Sequence, residues 1–101
     1  RGLPFTPPMP TPLYLGPVAG AFAKPHGQQV DVGDTLRVEA EPSNKYDTRA
    51  VAVFYNAGQV GYIPRKDTAV FHTALAAGKK PVGVVLKWEG PNRSLVQWEA
   101  E

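Results

Sequence analysis

Glycine and proline interrupt this chain at short intervals: ten glycines and eleven prolines stand among its 101 residues. Glycine weakens a regular element from within, and an interior proline removes a backbone donor and fixes φ. Between such interruptions short strands joined by tight turns fit well, with space for one helix. The length suits one domain with a single core. An apolar fraction of 43% is enough to build that core, so the chain is not disordered as a whole.

The spacing of apolar residues fills in the elements. Arg1 to Leu13 carries Pro4, Pro7, Pro8, Pro10 and Pro12 and reads as an extended Pro-rich arm without regular structure, so the folded domain is expected over residues 14–101. Leu15 to Phe22 reads as a first strand with a bend at Gly20, followed by a turn at Pro25-His26-Gly27. Val32-Gly33-Asp34 turns the chain into Thr35 to Glu41, where Leu36, Val38 and Ala40 alternate with polar residues at period two. Pro42 to Asp47 is dense in turn formers and predicts an ordered loop. Ala50 to Tyr55 and Gln59 to Ile63 form a hairpin through Asn56-Ala57-Gly58, and Pro64 ends it.

The helix candidate runs from about Arg65 to Ala77. Its apolar face is Val70, Phe71, Ala74 and Leu75, Asp67 stands in the first turn, and Gly78 follows the end. Pro81 to Trp88, with Val82, Val84 and Leu86 on one face, and Ser94 to Glu99 complete six strands. The expected fold is mainly β: a small OB-like or SH3-like barrel of about six strands, with the helix plugging one end.

Composition narrows the function. With no cysteine there are no disulfides and no thiolate metal sites. No apolar stretch approaches the ~20 residues that span a membrane, and no signal peptide is visible, so cytoplasmic residence is the default. His26 and His72 have no metal-ligand spacing. Phosphate-binding glycine motifs and nucleophile elbows are missing, and the acidic residues form no evident acid/base pair. Neither catalysis nor a cofactor is expected. A net charge of +2 is small for a protein that coats nucleic acid, so a nucleic-acid partner implies a short footprint such as a strand end.

Binding chemistry is better represented. Asn44, Lys45, Tyr46, Asp47 and Arg49 lie in the loop, and Tyr62, Arg65 and Lys66 follow the hairpin. Rings beside cations suit single-stranded nucleic acid, because rings stack on bases and cations neutralise phosphates. Asp47 would repel phosphate but can accept hydrogen bonds from a sugar hydroxyl or a base edge. A structural alternative accounts for the same residues. In it, Asn44 and Asp47 cap the loop, Tyr46 packs on the barrel rim, and Arg49 pairs with Asp47 or Glu41 at the surface.

These residues carry a family resemblance. Glu41-Pro42-Ser43-Asn44-Lys45-Tyr46-Asp47-Thr48-Arg49-Ala50-Val51-Ala52-Val53 resembles the Pro-x-Asn-x-Tyr-Asp-x-x-Ala-(Val/Ile)-x-Val signature of the HIRAN domain. Gly61-Tyr62-Ile63-Pro64 is similar to the Gly-Tyr-(Ile/Leu)-Pro segment that follows it. The resemblance spans roughly Leu15 to Glu89. It implies an OB-like barrel that recognises DNA, in particular the 3′ end of a single strand. HIRAN domains occur at the front of Snf-type fork-remodelling helicases and as small stand-alone bacterial and phage proteins, and this chain resembles the second kind or an excised domain.

Residue by residue, the resemblance implies that Tyr46 stacks on a base and that Asp47 meets the terminal 3′-hydroxyl. Arg65 stands where helicase members carry a DNA-contacting lysine, and Tyr62 where they carry a histidine. In place of their first-strand Arg-Tyr pair this chain has Ala21-Phe22-Ala23-Lys24, so Phe22 and Lys24 would supply the ring and the charge. The implied partners are single-stranded DNA or DNA ends, with helicase or nuclease proteins of DNA repair beside them and nucleoid association in a bacterial cell. The alternative is a protein-interaction module that recruits DNA-processing partners through Trp88, Trp98 or the Pro-rich arm.

Overall fold

The computed structural model describes residues 11–20, 25–90 and 93–100. The strands are β1 (Thr11–Gly16), β2 (Thr35–Ala40), β3 (Val51–Tyr55), β4 (Gly58–Tyr62), β5 (Pro81–Trp88) and β6 (Ser94–Ala100), and one α-helix, α1 (Thr68–Ala76), lies between β4 and β5. They form a single antiparallel sheet in the order β1-β6-β5-β2-β3-β4. The chain after β1 curls this sheet towards closure. Ala19 exchanges two backbone hydrogen bonds with Tyr62, at 2.7 and 2.9 Å, so the segment leaving one edge strand reaches the other edge. The architecture is the expected barrel-like sheet with one helix.

The first strand begins earlier than the proline content suggests. Thr11 to Leu13, read as irregular, already pairs with β6, and the strand ends at Gly16 rather than continuing to Phe22. Pro12 is accommodated because β1 is an edge strand and its register shifts between Pro12 and Tyr14. Residues 21–24 lie outside the described residues.

β2 follows its alternation at Leu36 and Val38, which are buried, but Ala40 is exposed at the strand's end. In β5 the inward face is the opposite of the expected one. Pro81, Gly83 and Val85 point inward, whereas Val84 and Leu86 are exposed. Gly83 explains the phase. It pairs with Trp98 of β6, and a Cβ there would stand 2.6 Å from Val96 Cγ1 and 2.9 Å from the Trp98 ring. The fully buried indole takes up the volume that an inward-facing side chain at position 83 would need.

α1 ends in a Schellman motif: Lys79 N–H donates to Ala74 O at 3.0 Å and Gly78 N–H to Leu75 O at 3.0 Å, with Gly78 at φ +78°. At its start Asp67 makes no side-chain cap. Its carboxylate instead accepts a 2.5 Å hydrogen bond from the Tyr14 hydroxyl of β1. The helix buries Phe71, whose ring meets Tyr14 and Trp98 edge-on at centroid distances of 5.6 and 5.3 Å. Those contacts seat α1 against the barrel core, beside the turn that follows β4.

Burial of the Tyr14 phenol, then its bond to Asp67 and that carboxylate's charge, raise its pKa above the ordinary tyrosine value. The unfolded chain therefore loses this proton first, near pH ~10, while the folded chain still holds it. Its stabilising contribution is complete below that pH and is lost as pH rises through the folded value. Tyr14→Phe is expected to flatten the alkaline limb of a stability-versus-pH curve measured by denaturant unfolding. An unchanged alkaline slope would remove Tyr14 from this account.

Candidate functional site

The loop between β2 and β3 is built by its own side chains. Asn44 Oδ1 accepts from the backbone N–H groups of Tyr46 (2.9 Å) and Asp47 (3.1 Å), and Asp47 Oδ1 accepts from Arg49 N–H (2.9 Å). Asn44 N–H donates to Glu41 O and Ala50 N–H to Asp47 O, both at 3.0 Å, which closes the two halves of the loop. Short polar side chains that satisfy backbone donors locally hold a loop in one conformation without a regular element. The loop-capping alternative is therefore realised at Asn44 and Asp47.

That geometry leaves the Tyr46 ring outside. It is 81% exposed, with Lys45 Nζ 5.3 Å from its centroid. The second wall comes from the end of β4 and the turn after it. Tyr62 closes the barrel seam through Ala19, and its hydroxyl donates to Glu41 Oε1 at 3.0 Å. Pro64 leads into a short 3-10 turn, Arg65–Asp67, which carries Arg65 to the cleft. Arg65 Nε lies 3.4 Å from Asp47 Oδ2, with the arginine side chain 78% and the aspartate 23% exposed. An ion pair this exposed holds its arginine weakly, so the guanidinium can turn to another anion.

Together these elements line an open cleft of about 300 Å³ formed by Asn44, Tyr46, Asp47, Tyr62 and Arg65 around an apolar floor of Ala19, Ala50 and Ile63. It offers an exposed ring, a second ring at the barrel seam, one exposed guanidinium, and a carboxylate with acceptor capacity. Such a set can stack on one base and meet one phosphate, and it is too small for a long charged track.

Sequence reasoning placed Asn44, Tyr46, Asp47, Tyr62 and Arg65 in one site, and the fold brings these five together. Lys66 is exposed on the same 3-10 turn but does not line the cleft. Phe22 and Lys24 lie outside the described residues. The carboxylate of Asp47 pairs with Arg65 rather than Arg49. His72, read as helix surface, is half-buried, and its Nε2 lies 2.8 Å from Arg49 O, linking α1 to the end of the loop.

Two contributions were missed. Ala19, Ala50 and Ile63 are small or apolar and carry no binding signature. Glu41 sits in phase with the outward residues Arg37 and Glu39 and reads as ordinary strand surface. Among the described residues no helix is long and apolar enough to cross a membrane, and no group of three or more His, Cys, Asp or Glu residues could hold a metal ion.

Comparison with known proteins decides the family. The family model of the HIRAN domain matches residues 17–92. The chain belongs to the HIRAN family. HIRAN domains are DNA-binding domains, and this places the chain among nucleic-acid-binding modules in general. Every residue of the cleft falls inside the matched segment, whereas β1 and β6 lie outside it. No curated protein matches the HIRAN chain. A crystal structure of a protein from Lactobacillus plantarum is similar to it in fold, with a TM-score of 0.73 at 22% identity, covering 92% of this chain and 97% of that one.

Proposed function

We propose that this HIRAN domain is a non-catalytic module that takes the 3′ end of single-stranded DNA into the cleft between the β2–β3 loop and the turn after β4. The observation that carries the reading is the convergence of Tyr46, Asp47, Tyr62 and Arg65 on one open cleft. Tyr46 offers its exposed face to a base, and Tyr62 forms the opposite wall. Arg65 leaves its weak pair with Asp47 to meet a phosphate. Asp47 Oδ2 then accepts from the terminal 3′-hydroxyl, while Oδ1 keeps the loop in shape. A phosphate at that position would instead face the carboxylate, which sets the preference for a free hydroxyl. Lys66, on the rim, adds charge next to the path of the strand, and Phe22 and Lys24 are proposed as a further ring and charge. Proteins that process DNA ends, such as helicases or nucleases, are the partners such a module would serve.

The recruiting alternative finds less support in the two tryptophans. Trp98 is fully buried in the core, and Trp88 is half-buried with its indole N–H donating to Gly27 O at 2.6 Å. Both serve packing.

Fluorescence anisotropy with short oligonucleotides ending in 3′-hydroxyl or 3′-phosphate tests the reading. The 3′-hydroxyl strand is expected to bind more tightly, with affinity falling as salt rises. Asp47→Asn keeps an acceptor for Arg49 N–H but removes the charge, so it is expected to erase most of the discrimination between the two ends without unfolding the domain. Arg65→Ala is expected to weaken both oligonucleotides alike and to reduce the salt slope by about one. Negligible, salt-insensitive binding to both ends by the native domain would overturn the proposal.

A further inference from the structure

Beyond the residues that line the cleft, one buttress joins its two walls. Glu41 Oε1 accepts from the Tyr62 hydroxyl at 3.0 Å and from Asn44 Nδ2 at 3.1 Å. Asn44 in turn spends its Oδ1 on the backbone N–H groups of Tyr46 and Asp47. A continuous chain of hydrogen bonds therefore runs from the phenol on the β4 wall, through one carboxylate oxygen and one amide, into the backbone of the opposite wall.

The chemistry allows only one arrangement. Asn44 faces an acceptor-only carboxylate on one side and two N–H donors on the other, so turning its amide over would set oxygen against carboxylate and NH2 against two N–H groups. Glu41 is itself held at both backbone atoms: its N–H donates to Ala50 O at 2.9 Å and its carbonyl accepts from Asn44 N–H at 3.0 Å. The carboxylate thus projects from an anchored backbone and is half-buried.

We infer that Glu41 is a positioning residue, which couples the Tyr62 ring to the Tyr46–Asp47 loop and so holds the cleft at the width a base requires. It touches no ligand in this arrangement, because the oxygen used is already shared between two protein donors. The inference rests on the proposed DNA-end reading for its functional consequence, but the coupling itself is a property of the free domain.

Two measurements separate these levels. In the first, backbone amide spectra of the free domain are compared for the native sequence, Glu41→Ala, Glu41→Gln and Tyr62→Phe. Removing only the Tyr62 hydroxyl, on β4, is expected to shift the amides of Tyr46 and Asp47 across the cleft. Glu41→Ala is expected to shift them further, and Glu41→Gln, which keeps an acceptor oxygen, to restore them in large part. If Tyr62→Phe leaves those two amides unmoved, the coupling is refuted whatever the domain binds.

In the second, affinity for a 3′-hydroxyl oligonucleotide is measured well below each variant's melting temperature. Glu41→Ala is expected to weaken binding by about tenfold, the scale of a hydrogen bond to a charged group. Tyr62→Phe should weaken the native domain by a few-fold yet change little in the Glu41→Ala background, because both substitutions break the same chain. Equal effects of Tyr62→Phe in both backgrounds, or native affinity in Glu41→Ala, would overturn the positioning role. Should the native domain bind no oligonucleotide while the amide shifts appear as expected, the DNA-end reading fails and the coupling stands.

Discussion

Alanine in place of Tyr46 is expected to weaken binding of a short single-stranded oligonucleotide by about 1–3 kcal/mol, roughly five- to more than a hundredfold, and to leave the melting temperature unchanged. The separation of the two effects follows from the geometry. The ring is 81% exposed, and the loop is held at Tyr46 by its backbone N–H, which alanine keeps. Its ring contact is with the exposed Lys45, and an exposed side chain held only by such a contact changes stability by no more than about 0.5 kcal/mol. The loss comes from the stacking face, so Tyr46→Phe should bind almost as well as the native domain. Anisotropy titrations beside thermal melts of the same variants check the prediction. An alanine variant that binds like the native domain would mean that the bases do not stack on this ring.

The largest expected loss of stability lies at Phe71. It is fully buried and stands between Tyr14 and Trp98, joining α1 to β1 and β6. Phe71→Ala removes most of a large ring from a close-packed site and is expected to lower stability by about 3–5 kcal/mol. For a domain of this size that is a large share of the total, and it lowers the melting temperature by on the order of 20 °C. The backbone of the cleft is tied to α1 through His72 and Arg49 O, so loss of the helix anchor should also loosen the β2–β3 loop. Denaturant unfolding gives the free energy, and hydrogen exchange at the loop amides reports the second effect. A loss below about 1 kcal/mol would show that the surrounding side chains collapse into the space.

Much of the site was legible because its chemistry is local. Asn44 and Asp47 shape the loop through bonds that span only two or three residues, so the cluster Pro42 to Asp47 announces an ordered loop before any fold is known. The hairpin brings Tyr62 back beside it: the two-residue connection at Asn56-Ala57 pairs Tyr55 with Gly58 and Phe54 with Gln59, and a register shift between Val53 and Phe54 then sets Ala52 opposite Tyr62. Asn56 takes the left-handed conformation this tight turn requires, with φ at 54°. Arg65 then falls on the turn that Pro64 imposes. What stayed hidden was the identity of partners. Arg65 rather than Arg49 meets Asp47, and Glu41 braces both walls; each depends on pairs about twenty residues apart.

The period of apolar residues and the placement of Gly and Pro were sufficient for six short strands, one helix and their order, because turn chemistry and alternation act within a few residues. They misplaced the inward side of β5 and the start of β1, and they did not say which polar groups meet across the cleft. Val84 alternates as cleanly as Val85, so a period of two cannot choose between the faces. Packing made the choice: once Trp98 occupies the core, only a glycine can lie opposite it, and Pro81 and Val85 take the inward side with Gly83.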